Sequence, residues 1–315
     1  MGYDEEKSEQ VIKITTYIMN QGKKIYVEVM GEEHLPAFLY LHGGPGAGCY
    51  DFLLTQGELL SQFIRIIAID QRGVLRSDAI TNEESFGLMD IITDCEAVRA
   101  HYNLQQWGLI GHSFGGYLAV KYTLLHPDRI HSIILECPTF DLVDSSRSLL
   151  NAGSRLFEQD NRVVEAERCR EVIALQDKYE LWHASTEILQ QLGHRRDELY
   201  VYGPDKHFFD QMVSASPLSE EEWSRASMHQ SKLMTEGAIL ESLIHQLAQI
   251  DCPMLLIHGT SDLVTTDHQV NCFLHSGEKR TYVTIDESGH FPRFEQKKKY
   301  AMEIQQFIMN LHTLK

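Results

Sequence analysis

The sequence carries six cysteines but no C-x-x-C pair, so it lacks both a paired-thiol redox motif and a thiolate zinc framework. Cys49, Cys95, Cys137, Cys169, Cys252 and Cys272 are scattered, several of them inside apolar runs. There a cysteine reads as a small buried hydrophobe, and we expect reduced thiols with no part in chemistry, as in a cytoplasmic protein. The sixteen histidines never recur as H-x-x-x-H or in another zinc spacing, so no metal is expected. Basic residues are scarce as well: 28 Lys and Arg stand against 45 Asp and Glu, a formal charge of -17. That balance argues against nucleic acid or an anionic membrane surface as partner and leaves a small molecule or short peptide. No apolar stretch is long enough to span a bilayer. The opening "MGYDEEKSEQ" is acidic and polar, unlike a secretory signal, and Glu6 stands where a myristoylation motif needs Ser or Thr. The expectation is a cytoplasmic protein of unspecified oligomeric state, without repeats or low-complexity tracts.

What is present is an ordinary globular composition, 43% hydrophobic and 23% charged over 315 residues, enough to bury a large core. "VIKITTYI" (Val11 to Ile18) and "KIYVEVM" (Lys24 to Met30) alternate around a polar "NQGK" turn and read as an antiparallel hairpin. "AFLYLH", "FIRIIAID", "WGLIGH", "IHSIILE", "PMLLIH" and "RTYVTI" are short continuous apolar runs, which suit parallel strands covered on both faces. Between two of them Leu88, Ile91, Ile92, Cys95, Val98 and Tyr102 recur at helical spacing. From Lys299 to Leu314 the residues Met302, Ile304, Phe307, Ile308 and Leu311 share one face of a terminal helix. The alternation predicts a doubly wound, mostly parallel α/β sheet. It is interrupted between Phe140 and Lys232 by a charged, helical stretch. We therefore expect a core built from residues 1–139 and 233–315, with residues 140–232 inserted as a helical lid or cap.

"LYLHGGPGAGCYDF" (Leu39 to Phe52) leaves a strand and places four glycines and a proline in the next few positions. It is not a phosphate cradle, because no Lys-Ser/Thr follows its glycines, and it lacks the third glycine of a dinucleotide fingerprint. No cofactor is expected. A pocket of backbone amides for a developing negative charge remains, and it calls for a nucleophile.

"WGLIGHSFGGYLAVKY" supplies one. Gly111-His112-Ser113-Phe114-Gly115 fits G-x-S-x-G between a strand and a helix, the context in which a serine hydroxyl is presented on a sharp turn. A free hydroxyl is a weak nucleophile and needs a base, which in turn needs a carboxylate to orient it. In this arrangement the order is Ser, acid, His. "PMLLIHGTSDLVT" delivers Asp262 and "VTIDESGHFPRFE" delivers His290 at successive strand ends. Asp286, Glu287 and Glu136 are rival acids. His42 and His258 end strands beside glycines and read as loop-bracing groups, and His112 should point away from the hydroxyl. The oxyanion donors should be the amides of Phe114 and Gly44, with His42, Gly43 and Pro45 supporting the loop.

At these residues the whole chain resembles the α/β-hydrolase superfamily. "HGGPG" (His42 to Gly46) with "DQRG" (Asp70 to Gly73) is similar to its proline iminopeptidase-like branch. The resemblance implies an aminopeptidase releasing an N-terminal proline, with Ser113, Asp262 and His290 as its triad. Three departures stand out. The nucleophile stretch has His112 and Phe114 where the branch has Gly and Trp, a form common among esterases. Val74-Leu75 follow "DQRG" where the branch has a glycine two residues on. The cap glutamates that hold the substrate amine align with Tyr202-Gly203 and Arg225-Ala226-Ser227-Met228, leaving Asp197, Glu198 or Asp205 as substitutes. The expected function is a serine hydrolase of a small amide or ester. A carboxylesterase or lactone hydrolase is the alternative, and a non-catalytic ligand receptor a third reading. Haloalkane dehalogenase and epoxide hydrolase chemistry would need a carboxylate at position 113.

Overall fold

The computed structural model describes residues 12–203 and 207–313. Val11, Leu314 and Asp205 lie outside them. Eight strands form one sheet: β1 (Lys13–Asn20), β2 (Lys23–Met30), β3 (Ala37–Leu41), β4 (Arg65–Ile69), β5 (Trp107–His112), β6 (Ile130–Glu136), β7 (Met254–Gly259) and β8 (Arg280–Ile285). Their order across the sheet is β1-β2-β4-β3-β5-β6-β7-β8. Only β2 runs antiparallel to its neighbours β1 and β4. Gln21 and Gly22, with φ of 48° and 79°, make the tight β1–β2 turn, both residues adopting the left-handed backbone that such hairpins require.

The apolar runs are explained by coverage on both faces. In β3, Leu39 and Leu41 join one core layer while Phe38 and Tyr40 join the other. The same alternation holds in β4, β6 and β7. Helices α2 (Leu88–His101) and α3 (Phe114–Leu125) cover the first face, and α1 (Tyr50–Leu60) and α12 (Lys297–Thr313) the second. β8 departs from the expected full coverage. It is an edge strand, and only Ile285 in it is buried. In α12 the buried face is Tyr300, Ala301, Ile304, Phe307 and Ile308, whereas Met302 is 65% exposed. The expected face was thus rotated, because Tyr300 and Ala301 meet the sheet one step before Met302.

Between β6 and β7 the described residues form no strand. They fold into α4 (Leu142–Gln159), α5 (Val163–Ile173), α6 (Lys178–Gln190), α7 (Phe208–Ala215), α8 (Glu220–Ser224) and α9 (Ala226–Glu236). Leu150, Phe157, Cys169, Val172 and Ile188 give α4, α5 and α6 an apolar cluster of their own. Two short helices, α10 (Asp267–Leu274) and α11 (Pro292–Glu295), join the already named α12 in completing the C-terminal part of the fold. All six cysteines are free thiols. No helix among the described residues is long and apolar enough to cross a membrane.

Candidate active site

Ser113 stands between β5 and α3 with φ 53° and ψ -120°, a strained left-handed backbone for a residue with a side chain. The turn closes only because its flanks are bare: a Cβ on Gly115 would sit 1.9 Å from the Leu41 carbonyl oxygen. The backbone of Ser113 is held on three sides. Its N–H donates to the Glu136 carbonyl at 3.0 Å, and its carbonyl accepts from Gly116 at 2.9 Å and Thr139 at 3.2 Å.

Asp262 and His290 come from the loops after β7 and β8. These loops touch because a glycine ends β7: a Cβ on Gly259 would lie 1.9 Å from the Gly289 carbonyl oxygen. Nδ1 of His290 is 2.8 Å from Oδ1 of Asp262. A carboxylate can only accept, so Nδ1 carries a proton, and in the neutral ring the lone pair is on Nε2. Asp262 also accepts from the N–H groups of Val264 and Thr265, each at 3.0 Å. Burial alone would raise its pKa, but His290 and these donors outweigh that and hold the carboxyl below its ordinary value. Of the rival acids, Asp286 and Glu287 are exposed. Glu136 is buried and engaged by Arg293, through Nη1 at 3.1 Å and the backbone N–H at 3.0 Å.

Gly44, at φ 111°, precedes Pro45 through a cis peptide. His42 braces this loop. Its Nε2 accepts the Gln71 N–H at 3.0 Å, so its Nδ1–H donates to the Gly43 carbonyl, also at 3.0 Å. Gln71 returns a hydrogen bond to the His42 carbonyl at 3.1 Å. The "DQRG" segment therefore supports the glycine loop. Asp70 in the same segment accepts the Cys49 N–H at 2.8 Å and pairs with Arg76 at 2.7 Å. Leu75, where the resembled branch carries glycine, has φ 41°. His112 turns its ring against His290, 4.7 Å between centroids, and Nε2–H donates to the His290 carbonyl at 3.0 Å. His258 contacts Tyr282 at 3.0 Å and lies 3.6 Å from Asp262.

Cys137 also approaches the pair, with its sulfur and the ligand atoms of Asp262 and His290 within 4.8 Å of one another. Burial pushes this thiol well up, so it is protonated. It accepts from the Gly259 N–H at 3.4 Å and donates to the Gly289 carbonyl at 3.6 Å, a hydrogen-bonding role rather than a thiolate ligand's.

Two cavities meet at Ser113. One, of about 710 Å³, includes Gly44, Pro45, Phe114, Leu142, Leu149 and Trp182 in its wall. The other, of about 1010 Å³, includes His112, His290, Phe291, Asp197 and Trp223. Gly44, Ser113, Arg196 and Tyr200 line both. Of the candidate amine anchors, Asp197 thus faces the second cavity. Glu198 is paired with Arg195 at 2.9 Å.

Sequence reasoning missed the groups that lock this floor. Arg293, 1% exposed, joins Glu136 to Asp51 across it. Glu295 accepts from Tyr202 N–H at 2.6 Å, Ser288 Oγ at 2.8 Å and Gly289 N–H at 2.9 Å. The stretch "FPRFE" after His290 holds both residues, but nothing local in it signals such distant partners.

Residues 36–296 match the family model described as alpha/beta hydrolase fold. Over 112 residues the chain is 34% identical to a proline iminopeptidase of Neisseria gonorrhoeae, 36% of either chain. Over 111 residues it is 32% identical to one of Arabidopsis thaliana, 35% of this chain and 29% of the relative. These matches span about a third of the length of the curated relatives. Among solved structures, a proline iminopeptidase-related protein from Thermus thermophilus superposes with a TM-score of 0.73 at 18% identity, covering 95% of this chain and 98% of that one. An enol-lactonase from Burkholderia xenovorans LB400 gives 0.65 at 17% identity, covering 93% and 100%. The matched model covers strands β3 to β8, the Ser113 turn and the loops of Asp262 and His290 together, and the chain belongs to the α/β-hydrolase fold family.

Proposed function

We propose that this protein is a serine hydrolase that cleaves a small amide or ester by acyl transfer, with Ser113 as nucleophile, His290 as base and Asp262 as its orienting acid. The observation that carries the reading is the 2.8 Å contact between buried Asp262 and Nδ1 of His290, which leaves Nε2 free to take a proton in the cavity that Ser113 shares. In the first step the Ser113 hydroxyl proton passes to Nε2 as Oγ bonds to the substrate carbonyl carbon. The carbonyl oxygen becomes an oxyanion between the N–H groups of Gly44 and Phe114, and removing one such donor costs about 3–4 kcal/mol. The leaving group departs with the proton from His290. Water then attacks the acyl-enzyme by the reverse route, giving up its proton to His290 and restoring Ser113.

Helices α4 and α6 contribute Leu142, Leu149 and Trp182 to the roof, in keeping with residues 140–232 acting as a cap. Free thiols throughout fit a reducing cytoplasmic setting.

Release of an N-terminal residue, as the names of the curated relatives suggest, is one form of this chemistry. A second form, hydrolysis of an ester or lactone with an uncharged acyl group, is favoured by the smaller cavity, whose described wall holds no carboxylate. The test compares a proline arylamide with a short-chain aryl ester, using Ser113→Ala as the blank. Cleavage of the ester alone supports the second form. Preference for the arylamide supports the first, would put the acyl group with its amine in the larger cavity, and makes Asp197 on that wall the anchor to replace. Turnover of both by Ser113→Ala overturns the proposal.

A further inference from the structure

His290 lines only the larger cavity and Phe114 only the smaller one. On the acyl-transfer reading, on which this inference rests, His290 protonates the leaving group, so the leaving group lies in the larger cavity. The acyl group then occupies the smaller one, whose wall decides which acyl group is accepted.

Besides the nucleophile's hydroxyl and the Tyr200 phenol, that wall contains five Ser and Thr hydroxyls, those of Thr139, Ser145, Ser146, Ser185 and Thr186. Each one's single proton is already directed into the protein. Ser146 donates to the Leu142 carbonyl at 2.7 Å, and Ser185 and Thr186 donate to the Trp182 carbonyl at 2.7 and 3.1 Å, back-bonds within their own helices. Ser145 donates to the Val264 carbonyl at 2.7 Å. Thr139 is therefore the donor in its 2.8 Å contact with Ser145. Ser145 also accepts from Gln269 at 3.1 Å, which fills both its lone pairs. Thr139, Ser146, Ser185 and Thr186 keep lone pairs and have no proton left to give.

We infer that the smaller cavity selects an acyl group that is not cationic and carries an O–H or N–H donor, such as a hydroxyacyl group, held by acceptor oxygens of Thr139, Ser146, Ser185 and Thr186. A plain alkyl chain would leave these oxygens without a partner in place of water. An ammonium would meet Arg196, the one charged side chain among the described residues of this wall.

The experiment uses three aryl esters with one leaving group: 3-hydroxybutyrate, its shape-matched 3-methylbutyrate and 3-ammoniobutyrate. The hydroxy ester is expected to exceed the methyl ester in kcat/KM about tenfold, the worth of one or two net hydrogen bonds. In Ser146→Ala/Ser185→Ala that ratio is expected to fall to about two or less. Because both esters are read on the same preparation, any loss of folded protein cancels from the ratio. A wild-type ratio near one, an unchanged ratio in the double variant, or preference for the ammonium ester would each overturn the inference. Turnover retained in Ser113→Ala would instead overturn the acyl-transfer reading, and the cavity assignment with it.

Discussion

The backbone N–H of His290 donates to the carbonyl of Tyr200 at 2.7 Å, so a residue of the inserted helical segment grips the loop that carries the candidate base. Glu295 reinforces the grip. One carboxylate oxygen accepts from Tyr202, and the other from Ser288, Gly289 and Phe291. Glutamine at 295 would keep one acceptor but turn its NH₂ toward a donor. Glu295→Gln is expected to lower kcat about tenfold while the fold is kept, since a buried donor left unpaired costs about 1–3 kcal/mol. Faster amide exchange at Tyr202 and His290 would mark the loosened grip, and unchanged exchange would argue against the coupling.

Arg293 is buried between Asp51 and Glu136. Burial by itself opposes its charge, yet Asp51 and Glu136 raise its pKa well above the ordinary value. Removing the cation leaves two carboxylates stranded in the floor of the site. Arg293→Met is expected to cost about 3–5 kcal/mol in urea unfolding. A loss under about 1 kcal/mol would mean that the network contributes little to stability.

His229 on α9 donates from Nδ1 to the Arg72 carbonyl at 2.7 Å, tying the inserted segment to the "DQRG" loop. Burial lowers its pKa to about 3. Below about pH 6.5 the unfolded chain takes up a proton there that the folded chain refuses until about pH 3. Stability from this group is therefore complete above about pH 6.5 and lost as pH falls toward 3, by about 5 kcal/mol at most. Buried His42 and His112 act with the same sign. Melting temperature measured from about pH 7 to pH 4 should fall less steeply in His229→Gln than in the parent protein. Equal slopes would contradict the assignment.

The sheet was readable because a parallel strand covered on both faces leaves a local signature, as in "AFLYL", where all five residues are buried. The Ser113 turn was readable for a similar reason: close backbone approach excludes side chains, and Gly111 and Gly115 record it in five consecutive letters. Asp262 and His290 could be named from strand order, and they meet at 2.8 Å. Tyr200, Arg293 and Glu295 left no such trace. Tyr200 acts through its carbonyl, which every residue possesses. Arg293 meets partners at 51 and 136, a pairing that only the folded sheet creates. The exposed Met302 shows the limit from the other side, since helical spacing marks a face but not its rotation.

The central claim is that Ser113 becomes acylated through His290. The most direct measurement treats the protein with an aryl organophosphonate and maps the adduct by mass spectrometry. The account expects one adduct, on the peptide carrying Ser113, formed in step with loss of ester hydrolysis and slowed at least about a hundredfold in His290→Ala, given that general-base assistance contributes about 10²–10⁴-fold. Labelling elsewhere, or hydrolysis that survives full modification of Ser113, would contradict it.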